Sequence, residues 1–209
     1  MRFSLVAVLV CFVLIGCGQE ERSIEEVNLV QEGDLLNYYF EGKPFTGLVI
    51  DQTKPSGKII YTVEAGKLDG PTKHFDQAQQ LVLHQSYVLG RLNGLEESFF
   101  SNGIKHYAYQ YLDGKKSGPQ KLYYPSGKIK TILFYQDGML TGDNYLYYSD
   151  GKLQHHFHFN SLGQRHGVWE KFHPNGQLKE IITYEKGNLA SPTKRFDVNG
   201  DLITNLGGN

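Results

Sequence analysis

The chain has 209 residues, of which 40% are hydrophobic and 21% charged, with 24 Gly, 14 Tyr, 12 Phe, 2 Cys and 1 Trp. Glycine stands above the ~7% usual in globular proteins while the apolar fraction stays near the globular norm, which argues against a disordered or collagen-like chain. With 21 Lys+Arg against 22 Asp+Glu the formal net charge is −1, so no net field draws the chain to phosphate backbones or acidic bilayers, and no nucleic-acid partner is expected.

Met1-Arg2-Phe3-Ser4 precede an apolar run from Leu5 to Ile15. The run is short of the roughly 20 residues a membrane-spanning helix needs and has the length of a secretory h-region. Its exit, Leu14-Ile15-Gly16-Cys17, resembles the lipobox of bacterial lipoproteins, in which the cysteine thiol receives a diacylglycerol and the chain is then cut before it. The resemblance implies a signal peptide over residues 1–16, lipidation of Cys17, and a cell-envelope protein held to the membrane by its lipid anchor. Gly18 in place of Asp implies the outer membrane if the source is Gram-negative. Cys11 would leave with the leader, so no disulfide is expected, and stability must come from packed surface alone.

Residues 17–34 carry Glu20, Glu21, Glu25, Glu26 and Glu32 and few aromatics, and read as an acidic tether. Ile24, Val27 and Leu29-Val30 leave a second reading open, a short helix or strand docked on the repeat array.

Residues 35–209 are periodic. Gly42, Gly66, Gly90, Gly114 and Gly138 are spaced by 24, and Gly163 and Gly187 continue the series after a one-residue insertion. A second series runs Gly70, Gly94, Gly118, Gly142 and Gly167, and a third Gly103, Gly127, Gly151, Gly176 and Gly200. Aromatics keep the same beat, in one column of Phe75, Phe99, Tyr123, Tyr147, Phe172 and Phe196 and another of Tyr39, Val63, Tyr87, Tyr111, Tyr135, Phe159 and Tyr184. The segments between glycines have strand length and strand residues. Asp113-Gly114 and Asp137-Gly138 are hairpin dipeptides, while Pro125-Ser126-Gly127 and Pro174-Asn175-Gly176 suit a type I turn closed by a left-handed glycine. No segment sustains a helical period, so the expected fold is all-β: an elongated single antiparallel sheet of stacked β-hairpin repeats, about 24 residues each, stabilised by neighbour terms.

Units such as Gly167-Val168-Trp169-Glu170-Lys171-Phe172-His173-Pro174-Asn175-Gly176 and Gly118-Pro119-Gln120-Lys121-Leu122-Tyr123-Tyr124-Pro125-Ser126-Gly127 resemble the MORN-repeat variant of bacterial proteins, often catalogued as YwqK-type antitoxins. The resemblance covers roughly Tyr38 to Thr204 and is strongest in the units that start at Gly94, Gly118, Gly142 and Gly167. The two weaker units before them are expected to form an irregular cap.

Catalytic chemistry finds little footing. The recurring Gly-Lys pairs lead into strands, whereas a phosphate-binding loop opens a helix. His156 and His158 share a strand face, and a metal site there would need a third ligand, for which His106 and His173 are the histidine candidates. Without closed ligand spacing no metal and no cofactor is expected. No nucleophile elbow exists, Glu96 and Glu97 alternate to opposite faces, and no enzyme activity is expected.

The position after the first aromatic column reads Asp76, Phe100, Tyr124, Tyr148, His173 and Asp197. Phe100, Tyr124 and Tyr148 would form a band some 20 Å long at about 10 Å per hairpin, flanked by His173 and by Trp169, which breaks its column of Thr72, Glu96, Gln120, Asn144 and Thr193. Such a band reads equally as a contact surface or as cross-strand packing. The expected function is a non-enzymatic, membrane-anchored module that binds a protein partner. The family resemblance implies a toxin as that partner, and so an antitoxin or immunity role. The alternative is a glycan-binding or structural envelope lipoprotein whose aromatic rings stack on sugars.

Overall fold

The computed structural model describes residues 19–206; the leader read at 1–16 and the lipidation candidate Cys17 lie outside the described residues. From Gly47 onward the chain is an antiparallel meander whose main strands are neighbours both in sequence and in space. They are Gly47–Asp51, Lys58–Glu64, Gly70–Phe75, Leu81–Val88, Arg91–Phe99, Lys105–Leu112, Gly118–Tyr123, Ile129–Gln136, Gly142–Tyr147, Leu153–Phe159, Arg165–Phe172, Leu178–Glu185, Thr193–Phe196 and Leu202–Leu206. The sheet is not closed into a barrel. It is mixed because the short strand Glu21–Ser23 lies parallel to Gly47–Asp51 at one edge.

The register explains the repeat. Gly70, Gly94, Gly118, Gly142 and Gly167 sit directly opposite Tyr87, Tyr111, Tyr135, Phe159 and Tyr184 on the neighbouring strands. The second glycine series and one aromatic column are therefore two sides of the same cross-strand pair. The tight hairpins use two residues with positive φ, Asp113 (47°) with Gly114 (77°) and Asp137 (51°) with Gly138 (84°), as a type I′ turn requires. At the one-residue insertion this pattern changes. In Asn160-Ser161-Leu162-Gly163-Gln164 only Gly163 has positive φ, Asn160 N donates to Gln164 O at 2.9 Å, and the turn becomes the longer kind found at Tyr124 to Lys128. The strand after it, Arg165–Phe172, then runs without the break that separates Met139–Leu140 from Gly142–Tyr147.

A single-layer sheet leaves both faces half covered, and a fully buried apolar core forms only where a second layer lies on it. That happens at the N-terminal end. A separate three-stranded sheet of Asn28–Glu32, Leu35–Phe40 and Lys43–Pro44 joins Val27, Tyr38 and Phe45 to Val49 and Val63 of the long sheet in one buried cluster. The second layer covers the first of the two weak units expected to form an irregular cap, while the second, Gly70–Phe75 with Leu81–Val88, pairs in the regular register of the array. The tether reading of residues 17–34 is corrected from Glu21 onward. Strand Glu21–Ser23, a 3₁₀ turn at Ile24–Glu26 capped by Ser23, and strand Asn28–Glu32 are all folded. Ile24 and Val27, three residues apart, turn inward while Glu25 and Glu26 stay exposed, so this segment docks as the second reading allowed.

Candidate functional site

The residues of the expected band begin the turns that close successive hairpins. Each follows a register shift at the end of its strand, between Ser98 and Phe99, Leu122 and Tyr123, Leu146 and Tyr147, and Lys171 and Phe172. Each donates its own amide across the turn at 2.8 Å: Phe100 to Ile104, Tyr124 to Lys128, Tyr148 to Lys152 and His173 to Gln177. All four side chains are half-buried. Their polar tips reach forward to the next unit. Tyr124 Oη donates to Tyr147 O at 2.7 Å, Tyr148 Oη donates to Phe172 O at 2.8 Å, and His173 Nε2 lies 3.0 Å from Phe196 O. Phe100, with no polar tip, packs its ring 4.4 Å from the ring of His106. The band is thus half-exposed, and its two hydroxyls clip hairpins to their successors.

The column that Trp169 interrupts has a role that sequence reasoning missed. Thr72, Glu96, Gln120 and Asn144 are all buried, at 2%, 9%, 2% and 0% exposure. Where a strand leaves its predecessor, backbone groups lose their ladder partners, and the two amides of this column replace them, whereas Glu96 accepts from the Gln85 side chain at 2.6 Å. Gln120 Nε2 donates to Gln110 O at 2.9 Å. Asn144 Oδ1 accepts from Phe134 N at 2.9 Å, and its Nδ2 donates to Thr141 O and Gly142 O at 3.2 and 2.8 Å. Trp169 Nε1 makes the equivalent bond to His158 O at 2.9 Å. The signal for this role was in the sequence, since amide side chains at a fixed repeat position are poor strand residues and good backbone partners.

Trp169 performs the same backbone duty with a much larger side chain, and its surplus surface builds an aromatic cluster. Its ring lies 5.3 Å from Phe157, 5.3 Å from Phe159 and 5.0 Å from Tyr184. Beside it is a hollow of about 340 Å³ bordered by Leu146, His155, Phe157, Trp169, Lys171 and Ile182, with His156 and Glu170 of the alternate positions at its edge. The register puts Leu146, His155, Lys171, Glu180 and Arg195 in one continuous row across the same face. Glu180, only 9% exposed at its side chain, is 2.5 Å from Lys171 Nζ and accepts from Arg195 Nε at 2.9 Å. Burial alone would raise this carboxyl, and the two cations outweigh it and hold the group below its ordinary value. Burial, reinforced by the Lys171 ammonium, pushes His155 down, so it is neutral near pH 7.

The opposite face gathers His156 and His158 with acids instead of with His106 or His173. His156 lies 3.2 Å from Asp143 and 3.1 Å from Glu170, His158 lies 3.0 Å from Asp143, and the His156 ring stacks on Tyr145 at 5.1 Å. Bonding from His158, then from His156, outweighs burial and holds Asp143 below the usual carboxylate range. Burial works against a charged His156, but its bonds to Glu170 and Asp143 win and raise it. Among the described residues no group of three or more His, Cys, Asp or Glu is arranged to hold a metal ion.

With this geometry in place, comparison with known families assigns two of the units. No curated protein matches the chain. Residues 116–137 and 165–186 match the family model described as MORN repeat variant. The first spans the hairpin of Gly118–Tyr123 with Ile129–Gln136 and the second the hairpin of Arg165–Phe172 with Leu178–Glu185, which carries Trp169. The same register, turn bonds and glycine-to-aromatic pairs recur in the hairpins between and around them, so the array repeats the structure of the two units that match the MORN repeat variant.

Proposed function

We propose that this protein is a non-enzymatic interaction module, tethered to the cell envelope through acylated Cys17, that uses the Trp169 face of its repeat sheet to bind a protein partner. The observation that carries the reading is the half-exposed aromatic cluster of Phe157, Phe159, Trp169 and Tyr184 beside an open hollow. A MORN-repeat array supplies a long rigid surface and no catalytic constellation, which suits recognition by shape. The specific role proposed is neutralisation of a toxin at the membrane, an inference from the family resemblance of the repeats. A second reading, glycan binding, draws on the same aromatic cluster, because sugar rings stack on exposed aromatic faces.

The test is capture of the full protein from crosslinked native cells beside a Cys17→Ser variant. A stoichiometric protein partner that is recovered with the wild type and lost with the mislocalised variant supports the module and names the toxin to assay. Recovery of cell-wall material alone transfers the case to glycan binding. Equal membrane fractionation of the wild type and the variant removes the lipid anchor from the proposal.

A further inference from the structure

The hollow has an apolar floor and a charged border, and the two together specify what fits. Leu146, Phe157, Trp169 and Ile182 supply the floor. Trp169 has no polar group left to offer, since its Nε1 is bonded to His158 O at 2.9 Å, so its ring presents only apolar and π surface. The volume, about 340 Å³, lies at the small end of ligand-binding cavities and suits one large side chain better than an extended ligand.

On the Trp169 face the charged border is cationic; Glu170, which also borders the hollow, alternates to the opposite face and pairs there with His156 at 3.1 Å. Lys171 lines the hollow, and Glu180 and Arg195 continue the row away from it. Glu180 is buried between the two cations at 9% side-chain exposure, whereas Lys171 is 40% and Arg195 51% exposed. One buried negative charge between two accessible positive ones leaves a local excess of positive charge at the surface. The neighbouring His155 adds no charge near pH 7 because burial and Lys171 hold it neutral. On the other side, Arg165 stands on the same strand face as Trp169, its guanidinium 4.6 Å over the Tyr184 ring. Strand Arg165–Phe172 therefore presents Arg165, Trp169 and Lys171 along one face, with Lys171 two residues and Arg165 four residues from the Trp. At about 3.4 Å per residue these separations are roughly 7 and 14 Å. In a chain of formal charge −1 this is a local positive strip around an apolar seat.

We infer that the Trp169 hollow is a docking site for an extended acidic segment of a protein partner, which seats one large apolar side chain against Trp169 and places a carboxylate two residues away against Lys171. The spacing arises because an extended peptide lying along the strand repeats its side chains with the strand's own period. The aromatic anchor supplies most of the affinity, and the border cations supply orientation and choice of partner. This inference rests on the interaction-module reading and names the chemistry of its partner.

Selection of a random twelve-residue peptide display library on the purified full chain tests it. The same library is panned in parallel on Trp169→Ala and on Lys171→Met, the latter keeping the aliphatic stem and leaving Glu180 its Arg195 partner. The expected outcome is enrichment of peptides with Phe, Trp or Leu and with Asp or Glu two residues away. A synthetic peptide from that pool should bind Trp169→Ala about thirtyfold more weakly. Lys171→Met should weaken it a few-fold and flatten its salt dependence. Circular dichroism of each variant identifies loss by unfolding, and addition of 0.5 M NaCl to the wild type checks the charge term without any substitution. Enrichment of basic or uncharged peptides, or binding indifferent to Trp169 in folded protein, overturns the inference. If the crosslinked partner still binds Trp169→Ala and Lys171→Met at full strength, the module reading stands and this site is wrong. If acidic peptides bind the hollow while no protein is captured from cells, the site stands and the module reading falls.

Discussion

Asn144 is the sharpest place to test how this single-layer sheet holds together. It is fully buried, and its side chain serves three backbone groups: the Phe134 amide at 2.9 Å and the Thr141 and Gly142 carbonyls at 3.2 and 2.8 Å. Asn144→Ala strips all three of their partner. A buried unsatisfied group costs about 1–3 kcal/mol, and the orphaned amide is the least tolerated of the three. Carbonyls with a second lone pair and some water entry soften the rest, so the expected loss is ~3 kcal/mol. That is a large share of the ~5–15 kcal/mol that holds most domains. Urea unfolding followed by Trp169 fluorescence reads the total, and amide exchange at Phe134 reads the local term. Asn144→Asp adds a second axis, keeping an acceptor for Phe134 N while aiming a carboxylate at two carbonyls. A buried carboxyl aimed at two carbonyls is expected to have its pKa raised on folding, so the variant should be nearest wild type below the ordinary value of ~3.9 and lose stability as pH rises from there through the raised folded value. A loss below ~1 kcal/mol in Asn144→Ala, with the Phe134 amide as protected as before, would falsify the claim that this column replaces the missing ladder.

Tyr124→Phe and Tyr148→Phe each delete one clip between units, with an expected cost of ~1 kcal/mol apiece by urea titration. Unchanged stability together with weaker partner capture would instead assign the hydroxyls to the partner. For His156, whose bonds to Glu170 and Asp143 raise its pKa despite burial, the stabilisation is complete below its ordinary pKa near 6.5 and fades as pH rises through the raised value. The lowered Asp143 sets the acid limit. The gap in thermal midpoint between wild type and His156→Gln should therefore be widest near pH 6, worth up to ~1 kcal/mol, and close by about pH 9; a gap that grows with pH refutes the pairing. His155, lowered by burial and Lys171 on the other face, is common to both proteins and cancels from the comparison.

Much of this fold was legible because a repeat states each local rule several times. The type I′ dipeptides, the strand-length aromatic segments and the missing helical period each point to hairpins, and hairpins in series must pair edge to edge to be stable. The candidate site was legible only as separate residues. Trp169 stood out as the break in its column, but polar residues at the other positions of that column gave no sign of its burial. Register showed it to be the most buried line in the array, where amides do backbone work.

Sequence by itself determined the period, the turn chemistry, the all-β class and the near-neutral charge, since these depend on residues close along the chain. Tertiary structure decided three things. It added Glu21–Ser23 to the edge of the long sheet and folded Asn28–Glu32 into a second layer, because Val27 finds Tyr38, Phe45, Val49 and Val63 only across the chain. It matched each second-series glycine to an aromatic ring one strand away. It also set Lys171, Glu180 and Arg195 in a row beside Trp169. Each of these contacts joins residues far enough apart in sequence that only strand register, accumulated hairpin by hairpin, settles which side chains meet.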